Sequence, residues 1–344
     1  MLVLNNEVMF FEKDMHFVKQ FGAKAAADMV LDYVALNKTP FIYDYYQLSS
    51  FLWIEPSNLR KLLDDIPAHY RNLRISNKSG GYRELNQPDE SLADIQKRIH
   101  QGILKHLSCS PYAAAYHKGT KLMDNAAPHI GKKYLLKMDI TDFFGSIRFD
   151  MVLSSVFNTS IYPTHIGAML TSLCCLNDVL PQGTCTSPAL SNLVMKHFDD
   201  AFGACCHRHH FSYTRYSDDI TVSGDTSLYP AYCAAKDILG KMGFDLNEDK
   251  THFVTNASRQ MVTGLTVNEK INVNSDYKRR LRQELYYADR FGVKSAADYL
   301  HEPDVQKYYS RLMGRINFVL SIEPDNDYFI KAKEKLQVQR CDLI

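Results

Sequence analysis

The sequence lacks an excess of either charge. Forty Lys and Arg face 39 Asp and Glu, for a formal net charge of +1, so the total does not mark a protein that binds polyanions. CxxC pairs are also missing. The eight cysteines, at 109, 174, 175, 185, 205, 206, 233 and 341, show no metal-ribbon spacing, and a chain this long needs no disulfide staples. No run approaches 18 apolar residues, which argues against a membrane-spanning helix. The opening "MLVLNNEVMFFEKDMHF" has no basic stretch followed by a clean apolar one, so it does not read as a secretion signal. Disorder is excluded too, because 45% of residues are hydrophobic and 23% charged, enough to bury a large core. The expectation is a soluble, cytoplasmic protein of two or three lobes with no membrane partner.

What is present is unevenly placed. Between Ile95 and Met138 lie Lys97, Arg98, Lys105, Lys118, Lys121, Lys132, Lys133 and Lys137 against a single acid, Asp124. A second basic knot, "KRRLR", spans 278–282. Local patches of this kind suit phosphate binding whatever the total, although solvated helix faces look the same. "CCHRHH" at 205–210 suggests zinc, but adjacent side chains diverge and no second half-site follows. Aromatics make up 12% of the chain, which offers surfaces for packing or stacking.

Periodicity outlines the elements. Residues 20–36 are helical, and 55–66 form a short helix with Ser57 as N-cap. Residues 70–88 form a hairpin around "KSGG". An amphipathic helix follows, carrying Leu92, Ile95, Ile99, Ile103, Leu104 and Leu107 on one face. "KKYLLKMDITDFFGSI" (132–147) begins as a buried strand and bends at Asp142 to Gly145; helical text then continues through 150–176. "LPQGTCTSP" is a loop running into a helix with Ser187 as N-cap and Pro188 first in the helix. A helix near 229–243 and a small hairpin near 259–273 come next, and from Asp276 the pattern is helical to the end. "FGAKAAAD" (21–28) and "FGVKSAAD" (291–298) echo each other and read as two similar helix starts.

One stretch resists this simple patterning. "FSYTRYSDDITVSG" (211–224) puts adjacent carboxylates, Asp218 and Asp219, into strand-like text, where neighbouring side chains point to opposite faces and like charges repel. A hairpin turn that binds metal resolves the conflict, provided a second acidic site exists. Asp139, at the end of the strand "YLLKM", supplies it. Two strands each delivering an Asp can hold hard divalent cations through oxygen, the arrangement that phosphoryl transfer uses.

In this order the blocks resemble those of reverse transcriptases, and more narrowly of bacterial retron reverse transcriptases, from about residue 55 to about 325. "MDITDFF" is similar to the first catalytic block, "LPQGTCTSP" to the next, and "YSDD" to the double-Asp box, here with Ser where Ala or Met is commoner. "NAAPH" (125–129), "VTG" (262–264) and "GRINFVLSIEP" (314–324) are similar to retron-branch elements. The resemblance implies an α+β right-hand polymerase fold with fingers, a palm of antiparallel sheet plus helices, and a helical thumb. The expected division is 1–99 for N-terminal helices and the fingers hairpin, 100–145 for the first part of the palm, and 146–185 for an insertion. The catalytic palm would span 186–275 and the thumb 276–344.

The resemblance also implies roles. Asp139, Asp218 and Asp219 would be catalytic and, with the Ile140 carbonyl, would hold two Mg²⁺, for which Mn²⁺ could substitute. Lys78, Arg83, Phe144, Gln182, Gly183 and Lys250 would bind the incoming dNTP, with Phe144 as a gate against a ribose 2′-OH. Asn125 and His129 would contact RNA, as would Lys278, Arg279, Arg280, Arg282, Arg311 and Arg315 on the thumb. The implied activity is RNA-directed DNA synthesis on a cognate structured non-coding RNA, primed from a guanosine 2′-OH and giving branched msDNA, in anti-phage defence. Implied partners are that RNA and its product, a separately encoded effector, and host RNase H, since no RNase H constellation follows the thumb. Another bacterial reverse transcriptase (diversity-generating, CRISPR-linked or abortive-infection type) is the alternative, and a non-catalytic RNA-binding scaffold a more distant one.

Overall fold

In this computed structural model, residues 2–4, 7–9, 15–37, 39–76, 81–117 and 119–339 are described. An antiparallel pair, β1 (Leu2–Leu4) and β2 (Glu7–Met9), precedes α1 (Met15–Phe21) and α2 (Ala23–Asn37). A small core of Phe17, Ala26 and Val30 holds this end together. Then come α3 (Tyr45–Leu52) and α4 (Pro56–Asp64). Pro56 occupies the first helical position after Glu55, so Ser57 lies inside α4 rather than capping it; the fixed φ and missing N–H of proline suit that first position. The expected hairpin is β3 (Tyr70–Ser76) with β4 (Tyr82–Pro88), in register from Tyr70↔Pro88 to Ser76↔Tyr82. Its turn, residues 77–80, lies outside the described residues, and Lys78 with it. The amphipathic helix is α5 (Glu90–Gly102), capped by the Asp89 carboxylate on the Leu92 N–H and burying Leu92, Ile95 and Ile99. A 3₁₀ turn, Leu104–His106, replaces its last expected turn.

The central unit follows: α6 (Leu122–Ala126), β5 (Tyr134–Asp139), α7 (Phe143–Ser146), α8 (Phe149–Ser155), α9 (Thr164–Ser172), α10 (Ser187–Val194), α11 (Lys196–Arg208), β6 (Ser212–Tyr216), β7 (Asp219–Gly224), α12 (Tyr229–Met242) and β8 (His252–Thr255). α10 begins at Ser187 itself, one residue before the expected start, and the Thr184 hydroxyl accepts the Ser187 N–H. The strands form one antiparallel sheet in the order β6-β7-β5-β8. Period-two alternation sorts its side chains. Leu136, Met138, Ile220, Val222 and Tyr213 join the main core with α8 to α12. Leu135 faces the other way, into a second core.

That second core belongs to the C-terminal part. Three short strands, β9 (Met261–Val262), β10 (Leu265–Thr266) and β11 (Asn272–Val273), form a sheet in the order β11-β10-β9. Helices α13 (Ser275–Phe291), α14 (Val293–Tyr299), α15 (Val305–Ile322) and α16 (Asp327–Gln339) complete it. Val262, Leu265, Val267 and Val273 are buried with Leu281, Leu285, Leu312, Ile316 and Phe329, so by packing the small sheet goes with the helices after it. The two echoed segments do the same job at both ends. Gly22 (φ +81°) and Gly292 (φ +83°) each end one helix and accept the first backbone bond of the next, a left-handed break that glycine makes without a side-chain clash. Among the described residues no helix is long and apolar enough to cross a membrane.

Candidate active site

Sheet register brings the acidic residues together. Asp139, the last residue of β5, pairs directly with Asp219, the first of β7. By alternation both lie on the face opposite the main core. Tyr216 pairs with Asp219, leaving Ser217 and Asp218 as a two-residue turn. Ser217 has φ +62°, the positive value that the first central residue of a II′ hairpin turn needs. The Ile140 N–H donates to the Asp218 carbonyl at 3.2 Å and the Asn247 N–H to the Asp139 carbonyl at 2.8 Å. Backbone bonds thus fix the end of β5 against both the turn and the segment before β8.

Burial and the neighbouring carboxylates raise the cost of ionising Asp218 and Asp219. Burial pushes the Asp218 carboxyl up, with the charge of Asp139 adding. Burial also raises Asp219, against the pull of Lys137. Lys250 Nζ sits 2.9 Å from Asp139 Oδ1, and that hydrogen bond raises the lysine in turn. Among the described residues no group of three or more Asp, Glu, His or Cys side chains is placed to hold a metal ion by itself. An open, all-oxygen set nevertheless fits Mg²⁺, which keeps waters and substrate phosphate oxygens in its shell rather than a full protein cage. The donors this chain would offer are the three carboxylates and the Ile140 carbonyl.

Two of the expected nucleotide residues, Arg83 and Gln182, line a second feature. A cavity of about 440 Å³ lies between β4 and the loop before α10, with Arg83, Asn86, Asp142, Gly145 and Gln182 in its wall. The Asn86 N–H donates to the Gln182 carbonyl at 2.7 Å. Gly183 has φ +115°, and a Cβ there would stand 3.2 Å from the Asn86 carbonyl oxygen, so the close approach requires glycine. At Gly145 a Cβ would fall on the Asp142 carboxylate, which explains the small residue at the bend after β5. Phe143 is buried, whereas Phe144 is half-buried beside it, ring centroids 5.3 Å apart. Of the two rings, Phe143 is therefore the core residue.

Other expectations meet a different placement. Asn125 and His129 are interior, 1% and 0% exposed, so direct RNA contact by these side chains is corrected to a structural tie. His129 Nδ1 lies 2.7 Å from Ser223 Oγ on β7, and Nε2 lies 2.8 Å from Thr214 Oγ1 on β6. Burial lowers its pKa to about 4, so the ring is neutral at pH 7. The Thr214 hydroxyl donates to the Asn125 carbonyl at 3.3 Å, which leaves it to accept from Nε2–H; Nδ1 then accepts from Ser223. On the C-terminal helices, Lys278 is bound to both oxygens of Glu323, at 2.7 and 3.0 Å, and half-buried Arg315 to Glu284 at 2.6 Å. Arg311 pairs with Glu302. Arg279, Arg280 and Arg282 are exposed, with Arg282 over the Tyr328 ring at 5.3 Å.

Sequence reading missed the network behind the acidic turn. Arg215 and Asp199 form an ion pair that is 0% exposed on both sides. The signal was present: Arg215 takes a core-facing position of β6, and a charge there demands a partner.

A family profile described as reverse transcriptase (RNA-dependent DNA polymerase) matches residues 75–288, a span that holds the hairpin, the cavity and all three carboxylates. The Retron Ec86 reverse transcriptase of Escherichia coli is 29% identical over 289 residues, covering 83% of this chain and 86% of that protein. The Retron Ec83 reverse transcriptase of Escherichia coli is 30% identical over 291 residues, with 80% and 89% covered. The Retron Mx65 reverse transcriptase of Myxococcus xanthus is 30% identical over 287 residues, with 78% of this chain but only 64% of that longer protein covered.

Proposed function

Because the chain belongs to the reverse transcriptase family, and within it to the retron branch of RNA-directed DNA polymerases, we propose that it copies part of a cognate structured non-coding RNA into branched msDNA. Synthesis starts from a guanosine 2′-OH of that RNA and serves anti-phage defence with a separately encoded effector. Template removal falls to host RNase H. One observation carries the catalytic part of this reading: Asp139 opposite Asp219, with Asp218 beside them on the turn that joins β6 to β7.

Two divalent cations, Mg²⁺ or in its place Mn²⁺, would when bound activate the attacking hydroxyl and neutralise the leaving pyrophosphate. The chain's own groups do the positioning. Asp139 and Asp218 present carboxylate oxygens to one space, Asp219 sets the charge beside them, and the backbone bonds at Ile140 and Asn247 keep that space from opening. Lys250, already at the carboxylates, is placed to hold or release a proton at the pyrophosphate. Arg83 and Gln182, in the wall of one cavity, bind the dNTP, Arg83 by its rigid fork on phosphate oxygens. Gly183 lets the backbone close on it. Phe144 follows Asp139 by five residues and is half-exposed, where a ring can exclude a 2′-OH. Lys78 is assigned to the triphosphate on the resemblance alone. Arg279, Arg280 and Arg282 offer the exposed charge that grips an RNA–DNA duplex by its backbone.

The test is nucleic-acid extraction from cells expressing the chain with its native upstream locus. A short discrete DNA is expected whose mobility shifts after RNase and after debranching enzyme, and which is lost in Asp218→Asn. Extension of an ordinary primed RNA without that product would keep the polymerase and remove the msDNA reading.

A further inference from the structure

The acidic turn hangs on a buried charge that has no part in the chemistry described so far. Arg215 lies on β6, two residues before Ser217. Its Nε and Nη2 donate to the two oxygens of Asp199 on α11, at 2.8 and 2.7 Å. Its Nη1 donates to Asn192 Oδ1 on α10 at 3.2 Å and to the Ser217 carbonyl at 2.9 Å. Asp199 takes one further bond, from the Tyr213 hydroxyl at 2.6 Å. Asn192 is itself fixed by donating to the Ala115 carbonyl at 2.8 Å. Burial works against the guanidinium's charge, and the bonds to Asp199 outweigh it.

Stability alone does not account for this arrangement. Well-packed apolar side chains hold a core as well as a buried ion pair does, often better. What they cannot do is hold one carbonyl oxygen of a strained turn. Ser217 occupies a left-handed backbone position without being glycine, and such a residue stays there only when its surroundings over-determine it. Here both ends of Ser217 are held: its carbonyl by Arg215 and its Oγ by the Tyr116 hydroxyl at 2.9 Å. The next residue is Asp218. A planar fork with five donors can reach Asp199, Asn192 and the turn at once, and an ammonium cannot.

We propose that Arg215 is a positioning residue for nucleotide transfer, which holds the Ser217 carbonyl from a frame of Asp199 and Asn192 and so sets where the Asp218 carboxylate stands. This rests on the reading of Asp218 as a metal ligand. The test compares Arg215→Lys, Tyr213→Phe and Asp218→Asn in the full chain. Four quantities are read: single-nucleotide incorporation rate on a primed RNA, dNTP half-saturation, Mn²⁺ binding to the free protein by EPR, and thermal midpoint.

Arg215→Lys is expected to slow incorporation about 100-fold, as a misplacement on the order of 1 Å does, and to weaken Mn²⁺ binding several-fold with dNTP half-saturation unchanged. Tyr213→Phe loosens the same buried pair without touching the turn. It should lower the thermal midpoint, as Arg215→Lys also does, and keep the wild-type rate and Mn²⁺ affinity. Wild-type rate and Mn²⁺ affinity in Arg215→Lys, with Asp218→Asn inactive, would overturn the inference and leave the active site as read. A Tyr213→Phe loss matching that of Arg215→Lys would overturn it as well, because general loosening would then explain both. An active Asp218→Asn would remove the reading beneath it. Should Arg215→Lys not fold, Asn192→Ala decides: Nη1 loses one anchor, and rate and Mn²⁺ affinity should fall together about tenfold, wild-type values for both refuting the proposal.

Discussion

His129 makes a pH prediction whose size follows from its surroundings. The ring is wholly buried between Thr214 and Ser223 and has a pKa of about 4 against 6.5 for a free histidine, through burial first and the nearby Lys132 charge second. The unfolded chain therefore takes up a proton as pH falls through 6.5, while the folded chain refuses it until about 4. Stability from this residue is fully present above pH 6.5 and is lost on the way down. Between pH 7.5 and 5 the loss is about 2 kcal/mol, and it approaches about 3 kcal/mol below pH 4. Carboxylates add their own slope, so the measurement has to be a difference. His129→Gln keeps a donor for Thr214 and an acceptor for Ser223 but cannot titrate. Urea unfolding at pH 7.5, 6 and 5 should show the wild-type advantage over His129→Gln shrinking by about 2 kcal/mol, which for a chain of this length is roughly 3 °C in thermal midpoint. An advantage that stays constant over that range would refute the neutral, doubly bonded imidazole.

Four further outcomes test the site and the C-terminal helices. Phe144→Ala should raise the use of ribonucleotides relative to deoxyribonucleotides by roughly tenfold or more, since a gate that discriminates by sterics loses its bulk, whereas Phe143→Ala should instead lower the thermal midpoint; competition between dCTP and CTP separates the two. Gly183→Ala puts a Cβ against the Asn86 carbonyl at positive φ, and should raise dNTP half-saturation with a smaller change in maximal rate. Glu323→Gln should cost about 2 kcal/mol by leaving Lys278 half-buried without its anion. Lys278→Met should leave RNA affinity unchanged, while Arg280→Ala and Arg282→Ala should each weaken binding and reduce its salt slope by about one.

What could be read from the sequence was local. The double Asp in strand text announced a turn, the "YLLKM" run announced a buried strand ending in Asp139, and the register of β5 on β7 put the two together as expected. Boundaries set by proline moved by a residue or two, as at Pro56 and Ser187, because several residues compete for each cap and the winner depends on what lies across the loop. Burial could not be read in this way. Asn125, His129 and Lys278 look like surface groups in a line of text, and only the packing of turns, strands and helices from distant segments buries them. Arg215 shows the same limit from the other side: alternation placed it inward, but its partner lies 16 residues earlier on a helix, and no local pattern names it.

The bond between the Asn86 N–H and the Gln182 carbonyl bears on movement. It joins the hairpin strand β4 to the loop that enters α10, and Gly183 closes the gap beside it. The two walls of the cavity that carry Arg83 and Gln182 are therefore tied to each other by a main-chain bond, which an opening between them would have to break. With the cavity read as the proposed nucleotide site, that tie favours entry by movement of side chains over separation of the walls, and Arg83 and the Tyr82 ring are both exposed there. The speed of each addition would follow rotamer exchange and product release rather than a hinge opening and closing around the cavity.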